Sequence, residues 1–223
     1  MIGRTATIIG STGLIGKHLL ELLKSDEYFQ TIRLLVRRPV EIKDPKVEAK
    51  LVNFQDAESF KLAINGSDVV FCAIGTTNKK VRGDKAAYRN VDYDIPLRAA
   101  TFCKETGCEK LLLVSSVGAN SKSKNFYLRL KGEVEEAISS IQLKSFLVFR
   151  PSMLLGQRDE SRPVEKVGQV LMKNLSFLIT GKYSKYKAIH AKDVAKAMIT
   201  AAKRNEQGMK IFEYTAIQKL LQY

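Results

Sequence analysis

The sequence has no tryptophan, and only two histidines, three cysteines and five prolines among 223 residues. Two histidines, His18 and His190, with cysteines outside any metal-ligand spacing, argue against a metal centre. Cys72, Cys103 and Cys108 are too few, and odd in number, for a disulfide framework. They point to a reducing compartment, and the cytoplasm is the expectation. Cys72 lies inside an apolar run and reads as a small buried hydrophobe. No apolar run approaches the roughly 18 residues that a membrane span needs. The opening MIGRTATIIG lacks the charged region, apolar core and small-residue cleavage site of a signal peptide. Repeats, low-complexity segments and obvious linkers are also missing. The 45% hydrophobic content suffices for a sizeable core, and the length suits one domain over residues 1–223.

Acid is scarce relative to base. Lys and Arg number 37 against 23 Asp and Glu, a formal charge of +14. Such a surplus suits nucleic acid, an anionic membrane surface or an anionic cofactor. The basic residues are dispersed, however, with only short pairs such as Arg37-Arg38 and Lys79-Lys80. No block of five or six like charges occurs, so most of the excess reads as a solvated Lys-rich surface with one locally used cluster. Neither a groove-reading helix nor interleaved aromatics is present, and no nucleic-acid partner is expected.

What the chain does have is alternation. Strands are predicted at Thr5–Ile9, Ile32–Val36, Ala49–Phe54, Val69–Ile74, Leu111–Ser115 and Ser145–Arg150. Helical spacing runs over Leu14–Leu23, over about 84–105 and over about 123–141. The runs IRLLV, VVFCAI and KLLLVS are continuously apolar, as strands buried on both faces should be. The pattern predicts an α/β, Rossmann-type, doubly wound parallel sheet with helices on both faces.

Between the first strand and first helix lies Gly10-Ser11-Thr12-Gly13-Leu14-Ile15-Gly16. Its spacing is G-x-x-G-x-x-G, in the strand–turn–helix context that makes a phosphate loop meaningful. The three glycines suit a tight turn, a close backbone approach to pyrophosphate and close helix–strand packing. The helix N-terminus adds free N–H groups and partial positive charge. A glycine-rich turn without ligand is the plain alternative. The second strand ends in LLVRRP. The carboxylate that would bind a ribose 2′-hydroxyl is missing, and Arg37 and Arg38 stand in its place. Guanidinium forks suit a 2′-phosphate, so NADP is expected rather than NAD. Two solvated arginines at a strand end are the alternative.

Further on, SSVGANSKSKNFYLRLKGEVEEA places Tyr127 and Lys131 four apart, on one helix face. Ser115 and Ser116 close the preceding strand at the carboxyl edge, where ligands bind in such sheets. A Tyr beside a Lys can donate a proton to a carbonyl, because the cation favours the tyrosinate. A Ser hydroxyl can orient the same carbonyl. Alone, the pair also fits a solvated helix face.

Taken together, the glycine loop, Arg37, CAIGTT at 72–77, NVD at 90–92, VSSVGA at 114–119, Tyr127 with Lys131, FRPSMLLG at 149–156 and IHAKDVAKA at 189–197 resemble the atypical short-chain dehydrogenases/reductases. SSVGANSKSKNFYLRLKGEVE and FRPSMLLGQRDESRP resemble the HIV Tat-interacting-protein group within that family. The resemblance covers nearly the whole chain.

It implies an NADP(H)-dependent oxidoreductase acting on a small or medium carbonyl/alcohol substrate. It implies Tyr127 as general acid/base, Lys131 as its cation and ribose ligand, and Ser116, rather than Ser115, as the residue that orients the carbonyl. Asn90 matches an asparagine of a proton relay, or is a helix-surface amide. Asp56 matches an acid near the adenine, and reads equally well as an N-cap. Ala73 and Gly75 match small residues at the sheet edge, and Pro151 and Ser152 fall where the nicotinamide amide would lie.

Ser116 and Tyr127 are eleven apart, slightly closer than in many relatives. Residues 151–190 are expected to form a small C-terminal substrate cover. Arg158, Asp159, Glu160 and Arg162 there read as salt bridges or as ligands for an anionic substrate. His190 reads as structural, ahead of a helix. A homodimer is a family-level expectation. An NADPH-binding regulatory or protein-interaction module with little turnover is the alternative function.

Overall fold

The computed structural model describes residues 3–156 and 181–222. Six strands, β1 (Thr5–Ile9), β2 (Thr31–Val36), β3 (Val47–Leu51), β4 (Val69–Cys72), β5 (Lys110–Val114) and β6 (Ser145–Phe149), alternate with helices except between β2 and β3, which a loop joins. These are α1 (Leu14–Lys24), α2 (Ala57–Ile64), α3 (Lys85–Arg89), α4 (Ile95–Thr106) and α5 (Phe126–Ser140). The two-residue strands β7 (Leu154–Leu155) and β8 (Ile189–His190) follow. Then come α6 (Ala191–Lys203), β9 (Gly208–Phe212) and α7 (Tyr214–Leu220). The main sheet runs β3-β2-β1-β4-β5-β6-β9, and every pair in it is parallel. This is the doubly wound order that reverses direction beside β1, where ligands bind in such sheets.

Burial follows the pleat. Along β4, Val69 and Phe71 join the core under α1 and α6, while Val70 and Cys72 join the core under α2, α4 and α5. Leu112 of β5 faces the first layer, and Leu111 and Leu113 face the second. A period of two with both faces covered explains why these strands read as unbroken apolar runs. On the first face α1 packs along α6. The Lys110 ammonium crosses from β5 to the end of α6, donating to the Ala202 and Arg204 carbonyls at 2.7 and 2.5 Å. It thereby satisfies acceptors that a helix C-terminus leaves open.

Strand β1 lies at the predicted residues. Strand β3 starts two residues before its predicted start and ends earlier. Val52 adds one more backbone bond to Val36, at 2.8 Å, and Phe54 then turns into the core against the Phe60 ring. The helix predicted over 84–105 is divided. A π-helical stretch, Asn90–Asp94, separates α3 from α4, with Ile95 N–H bonded back to the Asn90 carbonyl. Pro96 offers no N–H to the preceding turn, and the helix widens there. In the predicted substrate cover, Leu154 pairs with Ile189. Residues 157–180, with Arg158, Asp159, Glu160 and Arg162, lie outside the described residues.

Helix α5 is tied to the sheet by a buried polar cluster. Glu135 accepts from the Ser115 hydroxyl and from Arg150, whose Nε lies 3.1 Å from both carboxylate oxygens. Glu135 is 2% exposed. Removing one member of such a pair strands the other charge in the interior. Glu135→Ala should therefore destabilise the fold by about 3 kcal/mol, read from the urea unfolding midpoint.

Candidate functional site

The glycine loop leaves β1 at Gly10, whose φ of +91° lies in the left-handed region. A Cβ there would stand 2.8 Å from the Ala73 carbonyl oxygen and the Ile74 nitrogen. Position 10 thus needs glycine both for its backbone and for the crossing of the next strand. Gly13 N–H closes a turn onto the Gly10 carbonyl at 3.0 Å. A Cβ on Gly16 would collide with that same carbonyl, so the first turn of α1 lies directly on the loop. Gly13 occupies the N-cap, no side chain caps the helix, and its first turn carries no acid. The amides of that turn are left for a ligand, and the partial positive charge there suits an anion. Ser11 is buried beneath, and Thr12, Gly13, Leu14 and Ile15 line a cleft.

This cleft, about 680 Å³, runs along the carboxyl ends of the strands. Its walls include Ala73 and Gly75 after β4, Ser115 and Ser116 after β5, Tyr127 and Lys131 of α5, and Pro151 and Ser152 after β6. Folding thus gathers onto one cavity residues spread over 140 positions of sequence, from Thr12 to Ser152. The Ser115 hydroxyl is engaged by Glu135, whereas that of Ser116 donates only to its neighbour's carbonyl, Val117 O, at 3.3 Å. The Pro151 carbonyl accepts from Val117 N–H at 3.0 Å, and the Ser152 hydroxyl donates to the Lys187 carbonyl.

Lys131 is the buried cation of the site. Its Nζ lies 2.9 Å from Asp92 Oδ1, with side chains 4% and 2% exposed. Burial alone would lower the pKa of this ammonium. The adjacent Asp92 carboxylate outweighs that effect, with Tyr127 adding to it, and holds the pKa above the ordinary lysine value. Lys131 Nζ stands 6.0 Å from the centre of the Tyr127 ring. Tyr127 is 37% exposed, and its ring meets the edge of Tyr88 at 6.4 Å. Burial pushes the Cys72 thiol up to about 12, so it stays a thiol at the end of β4.

Other predicted residues lie elsewhere. Arg37 and Arg38 are exposed at the end of β2, beside the glycine loop's strand but outside the cleft walls. Asp56 caps α2, accepting from Glu58 and Ser59 N–H at 3.1 and 3.4 Å. Asn90 accepts from Gln55 Nε2 at 2.7 Å. His190 holds the N-cap position of α6. Among the described residues, no group of three His, Cys, Asp or Glu side chains could hold a metal. Asp92, Thr76 and Tyr88 are wall residues to which motif reading gave no role. The quoted NVD contained Asp92, but its partner lies 39 residues away and no local spacing reveals it.

A family model described as NAD(P)H-binding matches residues 10–205. The chain belongs to that NAD(P)H-binding family. Protein HTATIP2 from Rattus norvegicus is 35% identical over 168 residues, 74% of this chain and 69% of that protein. Protein FMP52, mitochondrial, from Debaryomyces hansenii is 34% identical over 83% of this chain and 86% of that one. Among solved structures, the UDP-glucose 4-epimerase of Thermotoga maritima, held with UDP-glucose, superposes with a TM-score of 0.71. The match covers 98% of this chain and 81% of the epimerase at 16% identity, and it shows the shared fold.

The names of the relatives also correct one expectation. Several FMP52 proteins similar to this chain are named mitochondrial, which points away from a purely cytoplasmic location. Sparse free cysteines report redox conditions and do not distinguish one reducing compartment from another.

The loop geometry fits a bound dinucleotide phosphate, since the space a Cβ would fill is taken by backbone and the helix amides stay open. Gly16→Ala should push α1 off the loop. NADPH binding, followed by cofactor fluorescence, should be lost while the far-UV circular dichroism of the sheet persists.

Proposed function

We propose that this protein is an NADP(H)-dependent oxidoreductase acting on a small or medium carbonyl/alcohol substrate. The observation that carries the reading is the convergence of the glycine loop, Ser116, Tyr127 and Lys131 on one cleft. When bound, NADPH supplies the hydride. The loop amides and the N-terminus of α1 hold its pyrophosphate. Ser116 donates a hydrogen bond to the substrate carbonyl oxygen and orients it. Tyr127, half-open to the cleft, gives that oxygen its proton as negative charge develops. Lys131 presents a fixed positive charge beside the Tyr127 ring and a donor for the cofactor ribose. Ser116 suits the orienting role better than Ser115, whose hydroxyl is committed to Glu135.

The preference for NADP rests on Arg37 and Arg38. They are exposed at the sheet edge where an NAD site would carry an acid, and their forks suit a 2′-phosphate. Arg37→Asp should reverse the preference between NADPH and NADH. Titration of each cofactor should show NADPH weakened by roughly tenfold or more, the scale of one charge-assisted hydrogen bond. Equal affinity of the unmodified protein for both cofactors removes this argument.

The chemistry is tested on a panel of carbonyls and alcohols, following NADPH absorbance. Tyr127→Phe should leave NADPH binding nearly intact and lower turnover by roughly 10²–10⁴-fold. Lys131→Ala should impair both. Full activity in Tyr127→Phe refutes the assigned mechanism. NADPH binding without turnover across the panel favours a cofactor-dependent binding module instead.

A further inference from the structure

We propose that Asp92 is a positioning residue: it aims the Lys131 ammonium into the cleft and ties it to the loop after β4, so that cofactor binding and the state of Lys131 are set together. The proposal rests on the reading of the cleft as a nicotinamide site.

The two carboxylate oxygens of Asp92 do different things. Oδ1 pairs with Lys131 Nζ at 2.9 Å, and Oδ2 accepts the Thr76 backbone N–H at 2.8 Å. The loop passes close above, since a Cβ on Gly75 would stand 3.5 Å from Oδ1. One carboxylate therefore joins the loop that forms one wall to the cation that forms another. Among the described residues, Asp92 is the only acid in the cleft walls. Asn90, two residues earlier, is turned to Gln55. Residues two apart on a helix do not share a face, and the π-helical stretch between α3 and α4 gives Asp92 the buried position.

The other groups facing Lys131 cannot replace it. Cys72 of β4 stays a thiol, and Tyr127 of α5 is half-open to solvent. Glu135, one turn further along α5, is occupied by Ser115 and Arg150. An ammonium buried without a counter-charge gives up its proton more readily. Asp92→Asn keeps the shape and an acceptor for Thr76 but removes the charge. Lys131 should then lose its proton within the neutral to alkaline range, and with it the donor offered to the cofactor ribose.

The test is NADPH affinity against pH, from ~6 to ~9, a range that spans the lowered pKa of buried lysines and the ordinary approach to deprotonation. The unmodified protein should show a flat profile. Asp92→Asn should match it at the acid end and lose about tenfold or more toward the alkaline end, the scale of one charged hydrogen bond. Lys131→Met, which has no proton to lose, should bind weakly with no such slope. An Asp92→Asn profile as flat and tight as that of the unmodified protein overturns the proposal. A second measurement does not depend on Asp92→Asn folding. In ¹³C-lysine-labelled unmodified protein, the Lys131 ε-carbon, assigned by its loss in Lys131→Met, should not titrate over the same range. Titration there overturns the proposal as well. If the unmodified protein binds neither NADPH nor NADH, the nicotinamide reading fails first and takes this inference with it.

Discussion

A lysine ammonium sits at the foot of the cleft with almost no water around it, and the carboxylate of Asp92 makes that position tolerable. Removing an ion from water costs several kcal/mol, and only a close counter-charge with its other lone pairs satisfied offsets it. Here the second oxygen of Asp92 is satisfied by Thr76. Asp92 lies buried within the π-helical stretch Asn90–Asp94, just before Pro96, which has no N–H to offer the preceding turn. A local backbone irregularity thus sets the electrostatics of the wall opposite the glycine loop.

Helix α5 carries this arrangement because it is fixed twice along one face. Tyr127, Lys131 and Glu135 recur every four residues, so they form one stripe toward the sheet. The last of them is held by Arg150, just after β6, and by Ser115, just after β5. The Ser115–Ser116 pair therefore divides its work: one hydroxyl anchors the helix and its neighbour looks into the cleft. The same cleft is bounded on the far side by the turn in which Gly16 rests on Gly10. Both sides depend on a parallel sheet whose strands end at one edge, which is the geometry shared with the solved structures of similar fold.

Much of this was legible from the sequence because a strand covered on both faces must be apolar at every position. Strand β1 and the runs IRLLV and KLLLVS stand out for that reason, as does the glycine loop, whose residue type is dictated by backbone crowding. Strand β9 did not stand out. It is the sheet's outer strand, its sequence GMKIF is mostly exposed, and so it carries no buried pattern. Helix α2 is eight residues long, too short for periodicity to declare it, although its cap Asp56 was noticed. The Asp92–Lys131 pair escaped because a contact across 39 residues leaves no mark in local spacing. Asn90 was matched to a relay asparagine only through the family resemblance, and its side-chain oxygen accepts from Gln55.

All three cysteines are free and buried, and all three belong to the core layer beneath α2, α4 and α5. A thiol-modifying reagent finds no surface target among them, so the rate of alkylation measures how often that one layer opens. The opposite layer, under α1 and α6, contains no cysteine and stays silent to such a reagent. The native chain is therefore already a one-sided reporter of its own breathing, and a single cysteine placed under α6 would make the two halves of the sandwich separately readable.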